Sequence, residues 1–465
     1  MQIGKKDVIW NVAATFMRIA SGVIVLPLVL RLLPTQEVGL WNIFIRIGTL
    51  AALLDFGFSN AFGRNITYIF SGVKELKAEG YSVVPENDKT IHYGLLKSVI
   101  SAMRRYYGIL TAIFLLIFFI ISPFYLTKIL GNYHGNKQEI WIAWFVYGIL
   151  VAYQLYTYYY SSLLTGRCMV KRSLQIIIIG QGSRIIASVA FLLAGFGIMS
   201  LVLGQLTSDI VNRYLCYKAF YDKDIKLHLK EKSEISVQEV MKIMTPNSIK
   251  IGIATVGIFF VNQAVMFIAP LYLSLEVMAS FGTTKQMIDI IVSLGGIWLG
   301  TYYPKITLYR VNNDTEGVKR LYLKAKINMI ASFAICGLGL MIVGPILLDL
   351  IHSKTQLLPT AMIAVFLLIS FLEANHSMAI TLLLTKNEVK FVKAVILSGI
   401  AVVCLLFIGL KLTSFGIWGM ILAPGIAQAA YQNWKWPLLV RRELKVRFSD
   451  YIAAFISMLR PSNAQ

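Results

Sequence analysis

Residues 32–65 read LLPTQEVGLWNIFIRIGTLAALLDFGFSNAFGRN, and this stretch decides the fold. From Val38 to Phe62 it is apolar for long enough to cross a hydrocarbon core of about 30 Å. One cation, Arg46, stands in its middle, and one carboxylate, Asp55, lies towards its far end. A guanidinium at mid-bilayer costs roughly 3 kcal/mol on insertion scales, so it is expected to face protein and water rather than lipid. Arg18 and Arg184 repeat the pattern in two other apolar stretches. Three such residues imply a wet, protein-lined cavity suited to an anion.

The rest of the chain is built the same way. Hydrophobic residues make up 57% of its 465 positions and charged residues only 14%, against about 25% charged in soluble domains. This is the composition of an all-α polytopic membrane protein. Apolar runs bounded by charge, Pro and Gly give twelve transmembrane helices, at 7–31, 38–62, 106–127, 140–163, 174–195, 198–217, 246–270, 277–302, 327–350, 359–385, 394–411 and 416–437. The net charge of +21 is one-sided. All but a handful of the Lys and Arg residues outside the spans fall in the compartment that holds both ends, whose links 63–105, 218–245 and 303–326 are the longest. By the positive-inside rule both termini are cytoplasmic. Membrane topology thus accounts for the basicity, and no nucleic-acid partner is expected. Lys5 and Lys6 precede an apolar run too long for a signal-peptide core, so the first span is expected to stay as an anchor. Cys168, Cys216, Cys336 and Cys404 are dispersed, without disulfide or zinc spacing.

The polar segment 218–245 divides the spans six and six. The expected organisation is an N-terminal six-helix bundle (1–217), a cytoplasmic linker (218–245), a C-terminal six-helix bundle (246–437) and a cytoplasmic tail (438–465). An internal repeat relates the bundles: Glu37-Val38 aligns with Glu276-Val277, and nine residues after each Glu stands a cation, Arg46 or Lys285.

Within the spans, helical spacing gathers polar residues into stripes that should face away from lipid. Asn11, Thr15, Arg18 and Gly22 form one, Asn42, Arg46 and Thr49 a second, and Gln181, Arg184 and Ser188 a third. Arg18 lies about 16 Å into its helix, near the midplane. Arg18, Arg46, Arg184 and Lys285 are therefore the candidate substrate-binding residues, since cations so placed suit a phosphate or pyrophosphate. Lys285 has Asp289 four residues on, a spacing that also fits a local ion pair; Asp209 and Arg213 share it and read as a structural pair. Asp55, Asp289 and Glu373 are the candidate ion-coupling or gating residues. Nine residues separate Asp55 from Arg46, which puts them on opposite helix faces, so Asp55 reads as a gate or cap. Glu373, with Asn375 and His376 beside it, is the stronger candidate for coupling to H+ or Na+. The aromatics of the fourth span, among them Trp144 and Tyr147, read mostly as interfacial belts. No cofactor or metal is expected.

The quoted stretch resembles the polysaccharide-unit flippases of Wzx type in the multidrug/oligosaccharidyl-lipid/polysaccharide exporter superfamily. That pattern is an LP, an acidic residue and Gly before the second span, then an LLDFG-like end and an Arg. Here it falls on Leu33, Pro34, Glu37, Gly39, Leu53, Leu54, Asp55, Phe56, Gly57 and Arg64. The resemblance implies a MATE-like fold, a bacterial inner-membrane location, and flipping of an undecaprenyl-pyrophosphate-linked oligosaccharide by alternating access in an O-antigen, capsule or exopolysaccharide pathway. It also implies a polysaccharide polymerase and chain-length machinery as partners. Lipid II flippases of the same superfamily typically carry fourteen spans, so twelve argues against that branch. Two other functions compete. A cation-coupled multidrug exporter of the same fold should have a cavity rich in carboxylates rather than cations. A membrane glycosyltransferase or polymerase needs a sizeable external loop, and the longest external link here, Lys128 to Glu139, has about a dozen residues.

Overall fold

A computed structural model describes residues 5–77, 90–385, 391–413 and 415–459; the side chains of several further positions, Arg18 among them, lie outside the described residues. No strand occurs among the described residues. The chain forms two compact units, Met1–Val256 and Gly257–Gln465.

The first unit contains α1 (Lys5–Leu32), α2 (Thr35–Leu53), α3 (Phe58–Phe70), α4 (Tyr93–Ile129), α5 (Lys137–Tyr156) and α6 (Tyr159–Gly166). It continues with α7 (Val170–Leu193), α8 (Met199–Phe220), α9 (Lys223–His228) and α10 (Val237–Ile268), within which the division between units falls. The second unit holds α11 (Leu275–Val311), α12 (Thr315–Leu350), α13 (Thr360–Leu384), α14 (Val392–Phe407), α15 (Ile417–Ala429), α16 (Gln432–Glu443) and α17 (Phe448–Leu459).

Each of the twelve expected spans lies on a helix or a helix pair. Among the described residues six segments qualify as spans by length and hydropathy alone, and a seventh if α2 and α3 count as one bent span. The other helices carry polar stripes that lower their hydropathy, as Gln205, Ser208, Asp209 and Arg213 do in α8. Several helices are longer than their apolar runs. The expected link 303–326 shrinks to the turn at Asn312–Asp314, because α11 and α12 carry their basic ends on as helix. Asp314 starts α12 by accepting the Gly317 amide at 2.8 Å.

The second expected span is not one straight helix. α2 and α3 meet at 51°, across a turn where Phe56 (φ +48°) and Gly57 (φ +76°) occupy the left-handed region. That conformation costs a residue with a Cβ and suits Gly. Asp55 holds the bend. Its carboxylate accepts the Ser59 amide at 3.1 Å and the Ser59 hydroxyl at 2.8 Å, in the first turn of α3. It also accepts the hydroxyl of Tyr107, a fully buried α4 residue. The Tyr106 hydroxyl donates to the Asp55 carbonyl at 3.2 Å. An acidic group at a helix N-terminus faces the positive end of the macrodipole, which adds to the hydrogen bonds.

In the first unit α7 packs along both α8 and α1, α3 along α6, and α5 along α2 and α4. The α7–α8 contact is closest at Gly204, where a Cβ would lie 1.9 Å from the Ser188 hydroxyl and 3.1 Å from its Cα. The hydroxyl can turn away; the Cα cannot. We expect Gly204→Val to force the two helices apart at a cost of about 1–3 kcal/mol, read as a lower melting temperature in detergent. An unchanged melting temperature would show that the contact is slack. In the second unit α11 packs on α12 and α13, α14 on α15, α13 on α16, and α12 on α17. All four cysteines are free.

Candidate functional site

In the first unit the site is assembled from α2, α5, α7 and α8. Aromatic packing seats α5 against α2: the Phe44 and Trp144 rings meet edge-on at 4.9 Å, and Tyr147 lies 5.7 Å from both Phe44 and Trp41. These rings build the core, so the fourth-span aromatics serve as more than an interfacial belt. Tyr147, buried among them, sits within the electrostatic reach of Arg184, Asp209 and Arg46. Arg46 of α2 and Arg184 of α7, far apart in sequence, thus face a common neighbourhood.

Asp209 is the carboxylate of this neighbourhood. It is only 6% exposed, and its oxygens accept Nε2 of Gln154 at 2.5 Å and Nε2 of Gln205 at 3.2 Å. Arg213 and Arg184 act on it electrostatically, but neither guanidinium comes within ion-pair distance of it; the ion pairs of this unit lie elsewhere. The structural pair expected from the spacing of Asp209 and Arg213 does not form. Two amides satisfy the carboxylate instead, and Arg213 Nε is enclosed with no hydrogen-bond partner among the described residues. Among the described residues Arg184 and Arg213 thus act on Asp209, and Arg46 and Arg184 on Tyr147. Of the polar stripes, Asn42 donates to its own helix at Val38 (3.0 Å) and Thr49 to the Arg46 carbonyl (2.7 Å). α1 packs on α7, which brings the Arg18 backbone segment to the same part of the unit; its side chain lies outside the described residues.

The second unit holds a cluster of the opposite balance. Lys285 Nζ lies 2.9 Å from Asp289 Oδ1 and 3.2 Å from Oδ2, so the pair allowed by their spacing on α11 does form. Glu373 of α13 is in electrostatic contact with both and lies by the amide of Gln428 on α15. One ammonium therefore serves two carboxylates. His376, buried one turn on, shares a hydrogen bond of 2.8 Å between Nδ1 and Asn433 Oδ1. Glu37 and Glu276 both stand in the first turn of their helices, α2 and α11, with Arg46 and Lys285 farther along. The aligned dipeptides thus both fall at helix starts. No group of three or more His, Cys, Asp or Glu residues among those described is placed to hold a metal ion.

Sequence reasoning missed Tyr147, Gln154, Gln205, Arg213 and Gln428 as members of these clusters. Two signals were available: Tyr147 and Gln154, seven apart, share a face of α5, and Gln205 stands one turn before Asp209.

No protein-family profile matches the chain, and no curated protein matches it. Solved structures do. A lipid II flippase, MurJ, in an inward closed conformation superposes with a TM-score of 0.63 at 14% identity, covering 98% of this chain and 94% of that one. A multidrug resistance MATE family transporter of the MOP superfamily, in an inward-facing conformation, gives 0.52 at 14% identity, covering 91% and 98%. The flippase is the better match of these two, although the span count argued against its branch; at this identity the likeness speaks for fold, not for branch. The chain is a multi-pass helical membrane protein with the fold shared by the MurJ flippase and the MATE transporters.

Proposed function

We propose that this protein is a transporter that flips an undecaprenyl-pyrophosphate-linked oligosaccharide repeat unit across a bacterial inner membrane. The observation that carries the proposal is the gathering of cations in the first unit, Arg46 and Arg184 beside Tyr147 and Arg184 and Arg213 beside Asp209, a carboxylate already occupied by Gln154 and Gln205. Guanidiniums enclosed in an apolar protein are costly unless anionic partners offset their charge, and a bound anion can contribute to that. A pyrophosphate suits them: it presents several oxygens to planar forks of donors and brings the charge the cluster lacks. In this reading Arg46 and Arg184 bind the pyrophosphate, joined by Arg18 from α1, and each exposure of the site is stabilised by its own contacts to ligand or ion. The fold likeness to a lipid-linked precursor flippase and the Wzx-type pattern at residues 33–64 support the same class.

Native mass spectrometry of the detergent-extracted protein tests this. The expected result is a retained pyrophosphate-bearing polyprenyl lipid, displaced by millimolar inorganic pyrophosphate and lost in the Arg46→Ala, Arg184→Ala double variant. Retention of neutral lipids alone would remove the substrate assignment.

One observation favours a second reading, the cation-coupled multidrug exporter: in the second unit Asp289 and Glu373 outnumber Lys285. We assign those carboxylates to ion coupling in the flippase instead, with Lys285 released from Asp289 as that carboxylate takes up H+ or Na+. Glu373→Gln, which keeps the shape and removes the charge, is expected to abolish the dependence of transport on the ion gradient while leaving lipid binding within about twofold. Increased resistance of a pump-deficient strain to ethidium or norfloxacin on expression of the protein would favour the exporter.

A further inference from the structure

The C-terminal helix is built for a membrane surface. On α17 Phe448, Ile452, Phe455 and Ile456 are 76%, 50%, 51% and 46% exposed. Their spacing of four, three and one puts them on one face. The opposite face is anchored: Tyr451 and Ala454 pack on the core of the second unit, and Asp450 pairs with Lys319 of α12 at 2.9 Å. The apolar face therefore points outward because the helix is docked by its other side.

Beside this face α12, α16 and α17 enclose an open cavity of about 340 Å³, lined by Tyr322, Lys326, Trp434, Arg441, Phe448 and Tyr451 among others. Lys326 Nζ lies 5.7 Å from the Tyr322 ring and 5.5 Å from the Tyr451 ring. Among the described residues no carboxylate pairs with it. Arg441 spends Nε on the Val446 carbonyl at 3.3 Å and keeps the outer end of its fork for other partners. The surrounding stretch 435–450 is basic, with Lys435, Arg441, Arg442, Lys445 and Arg447. Its two acids are committed elsewhere, Glu443 to Arg310 at 2.5 Å and Asp450 to Lys319.

We propose that this cavity binds the headgroup of an anionic phospholipid from the leaflet facing the C-terminus. The phosphodiester is held between Lys326 and Arg441, the glycerol region lies against Trp434 and the tyrosines, and the acyl chains run along Phe448, Ile452 and Phe455. Three features of the place agree on that occupant. Cations with free donors match the phosphate, amphipathic aromatics match the interfacial depth, and the outward apolar face of a docked helix in a basic setting matches an anionic lipid surface. The site is separate from the cation cluster of the first unit and does not depend on what that cluster transports.

Titration with phosphatidylglycerol or phosphatidylcholine, read by native mass spectrometry, tests it. One phosphatidylglycerol should be retained at least tenfold better than phosphatidylcholine. Lys326→Gln with Arg441→Gln should abolish the preference, and Lys326→Arg should keep it within about threefold. Inorganic phosphate at equal concentration should not compete. Equal retention by the double variant, equal retention of the two lipids, or full displacement by phosphate would each overturn the proposal. Should the double variant fail to accumulate, quenching by brominated phosphatidylglycerol gives a second readout. The wild type should lose fluorescence that a Trp434→Phe variant lacks, and the absence of any Trp434-dependent quenching would equally overturn it.

Discussion

Alanine at both Arg46 and Arg184 is expected to abolish transport while leaving the protein in the membrane at its normal level. A hydrogen bond to a charged group contributes about 1.5–3 kcal/mol, so each lost guanidinium should weaken substrate binding roughly 10- to 150-fold, since about 1.4 kcal/mol is one decade. The sign of the stability change separates this role from a structural one. Arg46 and Arg184 both act on Tyr147, and the nearby carboxylate of Asp209 already accepts two amide hydrogen bonds. Removing one cation therefore relieves repulsion and desolvation, and the melting temperature should hold or rise. Were Arg184 instead the partner on which Asp209 relies, its removal would strand a buried charge, which costs about 3–5 kcal/mol, and the melting temperature would drop. Normal surface polysaccharide in a complementation assay, together with a lowered melting temperature, would reassign these residues to packing.

The second large effect is expected at Asp55, and there the damage is to folding. Asp55→Ala removes the acceptor of the Ser59 amide, the Ser59 hydroxyl and the Tyr107 hydroxyl in one step. The loss of a helix-start acceptor costs about 0.5–2 kcal/mol, and a buried hydroxyl left without a partner costs about 1–3 kcal/mol more. Because Phe56 holds a positive φ that is costly for a residue with a Cβ, the α2–α3 junction should loosen once these bonds are lost. We expect the variant to be depleted from the membrane, with Asp55→Asn partly rescuing it through its amide oxygen. Tyr107→Phe should cost less than Asp55→Ala, since Ser59 keeps its acceptor. Full expression of Asp55→Ala with altered transport would instead make Asp55 a gate.

Much of the architecture was legible in one dimension. Lipid demands long apolar helices with internally satisfied backbones, so composition alone announced the class. The LP and DFG punctuation around residues 33–57 placed the second helix and hinted at its end. The Glu37/Glu276 echo found equivalent helix starts, and i, i+4 spacing found the Lys285–Asp289 pair. The same spacing failed for Asp209 and Arg213, because Gln154 arrives from α5, a neighbour that no local pattern specifies. The 51° bend was also invisible to hydropathy, which reads the two helices as one run.

The amino-acid order therefore determined that the chain is built of long apolar helices, roughly where they begin, and that cations stand within them, since those properties depend on residues within a few positions of one another. Which cation meets which acid was decided only by tertiary packing. Gly204 against Ser188, Phe44 against Trp144 and Tyr107 against Asp55 set the rotation and depth of each helix. A contact ion pair needs its atoms within about 4 Å, so those rotations govern which acid, if any, a guanidinium pairs with.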